Sequence, residues 1–383
     1  MSEYQYYEFQ AIDRPLTDGE MRTLRSYSTR ATITRTSFVN DYSWGAFKGN
    51  EDAWMEKYFD AFLYLANWGT HVLKLRLPAR LLALERAQEY GGGAGAGAWE
   101  KDGKVILSFV SEDEEGDDWV EGEGRLGSLI GVRAELARGD LRALYLGWLL
   151  CVQGGELDDE DPEPPVPPGL RQLSASLASF SEFLRIDEDL LHVAARASAA
   201  AEEWRLSHEE VRGWLAGLPT GEKDDMLVRL IVEEDSTLAV ELLHRFLEHR
   251  NRVNSRSVAP AARRTVGELL QAAQTRTEER RQIEAKKRAE EAARRAREVA
   301  LARAKHLDAL AGREQELWAR IDSLIGTKQP KSYDEAVSVL LDLRDLARRE
   351  ENDREFRMKL EAIYVAHARK PSFLERLRKA GLI

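Results

Sequence analysis

The chain has 383 residues, of which 43% are hydrophobic, and a formal net charge of −11, so it is long enough for two or three domains with real cores. The negative charge excludes a general attraction of the whole molecule to phosphate backbones or anionic lipid, and any basic surface must be local. The one cysteine, Cys151, excludes an intramolecular disulfide and a zinc site built from cysteines. Because it lies in an apolar run, we predict that Cys151 is a small core residue.

The N-terminus, Met1 to Tyr4, is neither basic nor apolar, so we predict that it is not a signal peptide. No apolar run approaches the ~20 residues that a membrane-spanning helix needs. We therefore expect a cytoplasmic protein with no membrane partner.

Residues 1–154 mix strand and helix patterns and are predicted to form an α+β domain. Thr17 and Glu20 have the spacing of a capping box, which predicts the start of a short helix. The other predicted elements are strands at 4–12, 30–42, 71–77 and 104–110, an amphipathic helix at 52–68, and helices at 126–138 and 140–152.

Two segments of this domain have the composition of ligand-binding loops. Residues 91–97 (GGGAGAG) match neither the dinucleotide-binding nor the P-loop spacing, so we interpret them as a flexible surface linker. The acidic run 111–123 lacks the ligand spacing of a calcium loop. We interpret it as a solvated loop, with adventitious divalent binding or docking of a basic partner as the alternatives.

Residues 155–169 (GELDDEDPEPPVPPG) are acidic and proline-rich, a composition that indicates a linker unable to pack against a core. We place a domain boundary there. Residues 170–255 carry helical apolar stripes and are predicted to form a small helical bundle.

Residues 260–325 are predicted to form one very long, charged helix, because no proline occurs between Pro260 and Pro330. Its middle has almost no large apolar residue, which is typical of a solvated spacer or a weak coiled-coil arm through which the protein could oligomerise. The alternative is a basic arm for a nucleic acid or a protein partner, although acids are interleaved with the bases and no aromatic residue is available to stack on a base. The candidate contact residues are Arg280, Arg281, Lys286, Lys287, Arg288, Arg294, Arg295 and Arg297.

Residues 331–383 are predicted to form a C-terminal helical hairpin that folds back on the end of the long helix. Capping-box patterns also occur at Ser207 to Glu210, within the predicted bundle, and at Ser332 to Glu335 in this C-terminal segment, and each predicts the start of a helix.

No residue pattern indicates a catalytic, metal or cofactor site. The seven histidines show no metal-ligand spacing, no Gly-x-Ser-x-Gly nucleophile elbow occurs, and no carboxylate pair is singled out. The aromatic strand residues Tyr4, Tyr6, Tyr7 and Phe9 leave two alternatives: stacking on RNA bases, or ordinary core packing.

Several segments carry a family resemblance: EYQYYEFQAIDRPLT (3–17), RGDLRALYLGWL (138–149), LPTGEKDDMLVRL (218–230), SYDEAVSVLLDLRDLA (332–347) and HARKPSFLERLRKAGL (367–382). The chain resembles an uncharacterised family of bacterial cytoplasmic proteins. From Leu170 onward it is also similar to the region that follows the zinc motif in bacterial SWIM zinc-finger proteins. The resemblance implies an intracellular setting beside nucleic-acid-associated or ATPase-driven complexes. It implies no catalytic residue, and no zinc role, since SWIM domains need clustered cysteines and this chain has Cys151 alone.

We therefore predict an α+β protein: a small mixed α/β N-terminal domain, then an all-α helical bundle with one very long charged helix. The leading functional hypothesis is a non-enzymatic scaffold or adaptor that binds protein partners. The alternatives are a nucleic-acid-associated subunit that uses the long helix, and an enzyme with an unrecognised site in the first domain.

Overall fold

The computed structural model describes residues 4–45, 47–113, 122–200, 207–232, 237–254 and 263–383. An antiparallel sheet region comes first and a helical half follows, which confirms the predicted α+β class. The chain divides into two compact units, residues 1–279 and 280–383. Most of the acidic run 111–123 and the predicted helix start at Pro260 lie outside the described residues.

Seven strands form the sheet, in the order β2-β3-β1-β4-β5-β7-β6, and every neighbouring pair is antiparallel. Successive side chains of a strand point to opposite faces, and helices cover both faces of this sheet. The strands are β1 (Gln5–Gln10), β2 (Thr32–Ile33), β3 (Ser37–Tyr42), β4 (Ala61–Ala66), β5 (His71–Pro78), β6 (Ala96–Lys101) and β7 (Lys104–Ser111).

One face of the sheet carries an aromatic core beneath α1 (Asp18–Tyr27) and α2 (Glu51–Lys57). Phe9 lies at its centre, with ring centroids 4.3 Å from Phe62 and 5.2 Å from Trp54. Helix α1 begins with the predicted capping box, in which the Thr17 side chain accepts from the Glu20 backbone N–H.

The predicted helix at 52–68 is wrong in its second half, because α2 ends at Lys57 and strand β4 follows. Five of the six β4 residues are buried, since both faces of this strand are covered. A strand buried on both sides loses the apolar–polar alternation that distinguishes strands from helices. The apolar residues of β4 therefore also fit the pattern of one helix face.

The other face packs against α3 (Leu84–Gln88), α4 (Arg125–Leu129), α5 (Gly131–Ala137), α6 (Arg142–Gln153), α7 (Ala175–Phe183) and α8 (Glu188–Arg196). Helix α6 is the centre of this layer, and ten of its 12 residues, Cys151 among them, are buried. Phe180 of α7 meets Phe109 of the sheet at 5.0 Å between ring centroids. Helices α7 and α8 thus belong to the sheet's core, whereas we predicted them in a separate bundle.

Segment 155–169 packs against the core of the first unit, to which it belongs, so the prediction that it contacts no core is wrong. Glu163 is only 3% exposed, and its carboxylate accepts from the Tyr145 hydroxyl and from Arg264 Nη2, the latter at 2.6 Å. A bridge between Pro162 and Thr265 and a 3.0 Å bond from the Val266 N–H to the Asp161 carbonyl continue the contact. Glu163 of this acidic segment thus forms a partly buried ion pair with Arg264.

The glycine-rich loop packs against the same segment, which corrects its interpretation as a surface linker. The Gly95 N–H donates to Glu156 Oε2 at 3.0 Å, and a Cβ at Gly93 would lie 1.8 Å from that oxygen. Glycine is thus required for close approach. Cys151 is buried beside this loop, and burial together with the Glu156 charge raises the pKa of its thiol to about 12.

Helices α9 (His208–Gly217), α10 (Thr220–Ile231) and α11 (Leu238–Asn254) follow in the first unit. Trp214 of α9 packs edge-on against Phe246 of α11, with ring centroids 5.7 Å apart. The Ser207 side chain accepts from the Glu210 N–H at the start of α9, as its sequence pattern predicted.

The predicted single helix at 260–325 is instead two helices, α12 (Val266–Leu310) and α13 (Glu314–Gly326). The break lies at Gly312, whose φ of 79° is left-handed and ends a right-handed helix. The first turns of α12 bury Val266 and Leu269 in the sheet core.

The second unit ends in three helices: α14 (Pro330–Arg349), α15 (Asp353–Ala366) and α16 (Pro371–Lys379). The predicted cap at Ser332 is wrong, because Pro330 already occupies the first turn of α14. With α13 these helices enclose a core that includes Ile321 and Phe373. Helix α14 lies along the end of α12, as predicted, and Arg303 pairs there with Asp342 and Asp345.

Candidate partner-binding surface on helix α12

Every residue of α12 from 280 to 302 is exposed, and we call this stretch the exposed segment. It keeps its helical form through residue preference and local pairs, because alanine, arginine, lysine and glutamate are all good helix formers. Glu284 lies between Arg280 and Arg288 at 3.7 and 3.6 Å, and Arg294 lies 3.8 Å from Glu298. Such pairs contribute ~0.2–0.5 kcal/mol, and of these three only Glu284–Arg288 has the more favourable order with glutamate nearer the N-terminus.

The structure brings all eight predicted contact residues onto this segment and exposes each of them. They fall into rows along the helix. Arg281, Arg288 and Arg295 repeat every seven residues and form one row, which we call the arginine row. A second basic row contains Arg280, Lys287 and Arg294, while Lys286 and Arg297 lie apart.

A row of glutamates separates the two basic rows. Glu284, Glu291 and Glu298 also repeat every seven residues, and at 100° per residue they fall between the two basic rows. The basic residues therefore do not form one continuous basic stripe.

The segment also has an uncharged face that we did not predict. Its members are spaced alternately by three and four residues, which places them at the a and d positions of a heptad repeat. We call this set the coil face: Gln282, Ala285, Ala289, Ala292, Ala296 and Val299. The signal available in the sequence was the absence of charge at these positions within a charge-rich helix.

Most side chains of the coil face are alanine methyl groups, so this face protrudes little from the helix backbone. Small side chains allow a second helix to approach closely, because the distance between packed helices depends on the residues at their contact. The arginine row borders this face directly, since each of its members precedes an a position by one residue. A heptad face of small residues bordered by charge is the pattern found where two helices pack together.

Two buried titratable side chains of the first unit, His71 and Asp60, are held by contacts with other residues of the protein. The His71 Nδ1 lies 2.9 Å from the Phe183 carbonyl, and Arg185 Nη2 lies 2.9 Å from Nε2. Burial, reinforced by the Arg185 charge, lowers the pKa of His71 to about 4. Asp60 likewise accepts from Arg76 and from the N–H groups of Ile12 and Asp13. These contacts hold structural elements together and leave no free catalytic group at either residue.

The base-stacking hypothesis for Tyr4, Tyr6, Tyr7 and Phe9 is wrong for three of these four residues. Tyr6, Tyr7 and Phe9 are buried, and Tyr7 stacks on Phe47 with ring centroids 4.9 Å apart. These rings pack within the two cores and present no face to a base.

Within the described ranges, no three His, Cys, Asp or Glu side chains are grouped to hold a metal ion. In the same part of the chain, no helix is both long and apolar enough to cross a membrane. Comparisons with protein families, with curated proteins and with solved structures found no match to this chain.

Proposed function

We propose that this protein is a non-enzymatic scaffold or adaptor of an intracellular bacterial complex, and that it binds a partner protein through the coil face of α12. The observation that carries the proposal is a helical segment, exposed from 280 to 302, in which the heptad a and d positions from Gln282 to Val299 all lack charge. A helix that served only as a solvated spacer would need no such segregation of charge.

The segment is long enough to remain helical without a partner. Isolated helices become marginal below ~12–15 residues, and this one exceeds that length with alanine-rich, paired sequence. The partner would therefore meet a helix that is already formed, which lowers the entropy cost of binding.

A second candidate function is a nucleic-acid-associated subunit. The exposed segment carries eight basic residues against four glutamates, within a chain whose net charge is −11. Arg281, Lys286, Lys287, Arg295 and Arg297 form no ion pair with any described residue. The resemblance to SWIM zinc-finger proteins implies the same setting.

The two functions are separated by replacing the coil face and the arginine row independently in the full chain. For the scaffold, Ala289→Glu with Ala296→Glu places charge on the coil face while glutamate preserves helix propensity. The matched control is Ile283→Glu with Leu301→Glu, because these exposed apolar residues lie on the same segment outside the coil face. Each variant is expressed in the cells in which the protein naturally occurs and is purified gently at low salt. Co-purifying protein and nucleic acid are then quantified.

We expect a stoichiometric protein partner with the wild type and the control, and its loss from the coil-face variant. Equal recovery of the partner with the coil-face variant would contradict the scaffold proposal. If Arg281→Gln, Arg288→Gln and Arg295→Gln together release nucleic acid, and its binding falls steeply with salt, the second function is supported.

A further inference from the structure

Helices α9, α10 and α11 enclose an open apolar groove in the first unit. The cavity between them has a volume of about 430 Å³. Leu215 of α9, Leu227 and Leu230 of α10 and Leu242 of α11 line its walls. None of these residues belongs to the coil face, and binding in the groove is independent of the proposed function.

The groove leaves exposed several apolar side chains of a kind that surface helices normally pack against the core. Leu227 and Leu230 are 54% and 55% exposed although both line the cavity, and Ile231 continues the apolar surface at 72%. Contiguous exposed apolar surface of this kind marks interaction sites in proteins. Covering such surface with a partner is favourable, because apolar side chains are removed from water.

The shape and chemistry of the groove favour a helix as its occupant. Its walls are helices whose lining residues recur at three- and four-residue spacing, as Leu227 and Leu230 do on α10 and Leu238 and Leu242 do on α11. An amphipathic helix fits such a groove with side chains at positions i, i+3, i+4 and i+7. A small-molecule site would carry several converging polar groups to orient its ligand, whereas apolar residues dominate these walls.

The charge of the groove selects the partner. Two charged residues line it, Arg212 and Lys223, and both are basic. Lys223 Nζ donates to the Ala216 carbonyl at 3.3 Å, and Arg212 forms no ion pair with a residue that the structure describes. Both cations are therefore available to carboxylates that border the apolar face of a bound helix.

We propose that the α9–α11 groove binds an amphipathic helix of a partner protein, with aspartate or glutamate flanking its apolar face. Leu227 and Leu230 provide the apolar contact, and Arg212 and Lys223 provide the charge selection. The protein therefore has a docking site with a stated partner chemistry in its first unit.

The test uses two synthetic helical peptides with identical leucines at i, i+3, i+4 and i+7 and either glutamate or lysine at the flanking positions. Binding of each labelled peptide to the full-length protein is measured by fluorescence anisotropy at low salt. We expect the glutamate peptide to bind about tenfold more tightly than the lysine peptide. Arg212→Glu with Lys223→Glu should reverse that order.

Leu227→Glu with Leu230→Glu should lower the affinity for the glutamate peptide at least about tenfold, because charged side chains then replace the apolar wall. The matched control is Val228→Glu on the same helix, which is 52% exposed but does not line the cavity. Circular dichroism checks that all variants keep the helix content of the wild type. Absence of binding, or equal affinity for both peptides, overturns the proposal. A wild-type dimer that Leu227→Glu with Leu230→Glu dissociates also overturns it, because the groove's occupant would then be a second copy of the chain.

Discussion

Glu163 holds a negative charge in the interior because both of its carboxylate oxygens have partners. The Tyr145 hydroxyl donates to Oε1, and Arg264 donates to Oε1 and Oε2 at 2.6 and 2.8 Å. Burial and the neighbouring carboxylate raise the pKa of Tyr145 above its usual range, so this hydroxyl remains a donor. An ion pair with its hydrogen bonds satisfied is tolerated in a core, whereas an unpaired charge is costly.

Glu163→Gln should therefore lower the free energy of unfolding by about 3 kcal/mol, because the Arg264 charge loses its partner. Urea denaturation followed by circular dichroism measures the change. Glu160→Gln is the control, since Glu160 is exposed in the same segment and its replacement should be nearly neutral. A neutral effect of Glu163→Gln would contradict the structural role given to this residue.

His71 stabilises the native state only while it is neutral. Its pKa falls to about 4 on folding, from 6.5. The unfolded chain therefore takes up a proton between these two values while the folded chain does not, and stability falls as the pH falls through that range. Above pH 6.5 the contribution is complete.

His71→Gln should cost about 1–2 kcal/mol at pH 7.5 through the altered bonds to Phe183 and Arg185. The difference from the wild type should shrink as the pH falls toward 5, because only the wild type carries this titration. Urea midpoints of both proteins between pH 5 and 7.5 measure it. A difference independent of pH would contradict the assignment, and His208→Gln, at an exposed helix start, is the control.

The break between α12 and α13 is an element-scale feature set by backbone conformation. Gly312 has a left-handed φ with open space around it, so a Cβ there meets no atom but strains the backbone. Gly312→Ala should destabilise the protein by about 1 kcal/mol. Gly326→Ala, at the end of α13 in an ordinary conformation with equally open space, should stabilise it by several tenths of a kcal/mol.

Thermal unfolding of these two variants measures both effects. Opposite signs identify conformation as the cause, because neither glycine has a neighbouring atom to clash with an added methyl group. Destabilisation of similar size at both positions would show that the break does not depend on the left-handed residue.

Charge on α12 opposes pairing of its coil face with a second copy, although we predicted oligomerisation through this helix as one alternative. In an antiparallel pair the two arginine rows would face each other, and in a parallel pair Arg281 would approach Lys286 of the other copy. We therefore expect Ala289→Glu with Ala296→Glu to leave the oligomeric state unchanged. Analytical ultracentrifugation of the variant and the wild type checks this, and dissociation of a wild-type oligomer would contradict it.

At the scale of the whole molecule, the chain has two compact units with separate apolar cores. Phe373 is fully buried in the second core. Phe373→Ala should cost about 3–5 kcal/mol there through lost contacts and a cavity. Native-state hydrogen exchange should accelerate in α13 to α16, while the amides of β5 keep their protection. Equal acceleration in β5 would show that the two units unfold together.

Local patterns predicted much of what depends on neighbouring residues. The capping box at Thr17, strands β5 and β7, the buried Cys151 and the exposed basic residues of α12 all follow from spacing or composition within a few residues. Predicting the exposed segment required no knowledge of the fold, because a helix with almost no large apolar residues has little to bury. The coil face can also be identified from the sequence, because its positions lack charge at heptad spacing. We predicted only the charged residues of this helix.

Tertiary structure decided the features that depend on distant partners. Glu163 and Arg264 are 101 residues apart in the chain, so nothing within 155–169 indicates that this acidic segment is bound to the first unit. The sequence predicted a helix in place of strand β4, and it placed helix α7 in a separate bundle. Both errors have the same cause, because the surfaces that cover these elements come from elsewhere in the chain. Composition and spacing determined the fold class and the exposed helix, while burial against remote elements determined which acidic, glycine-rich and aromatic segments became core.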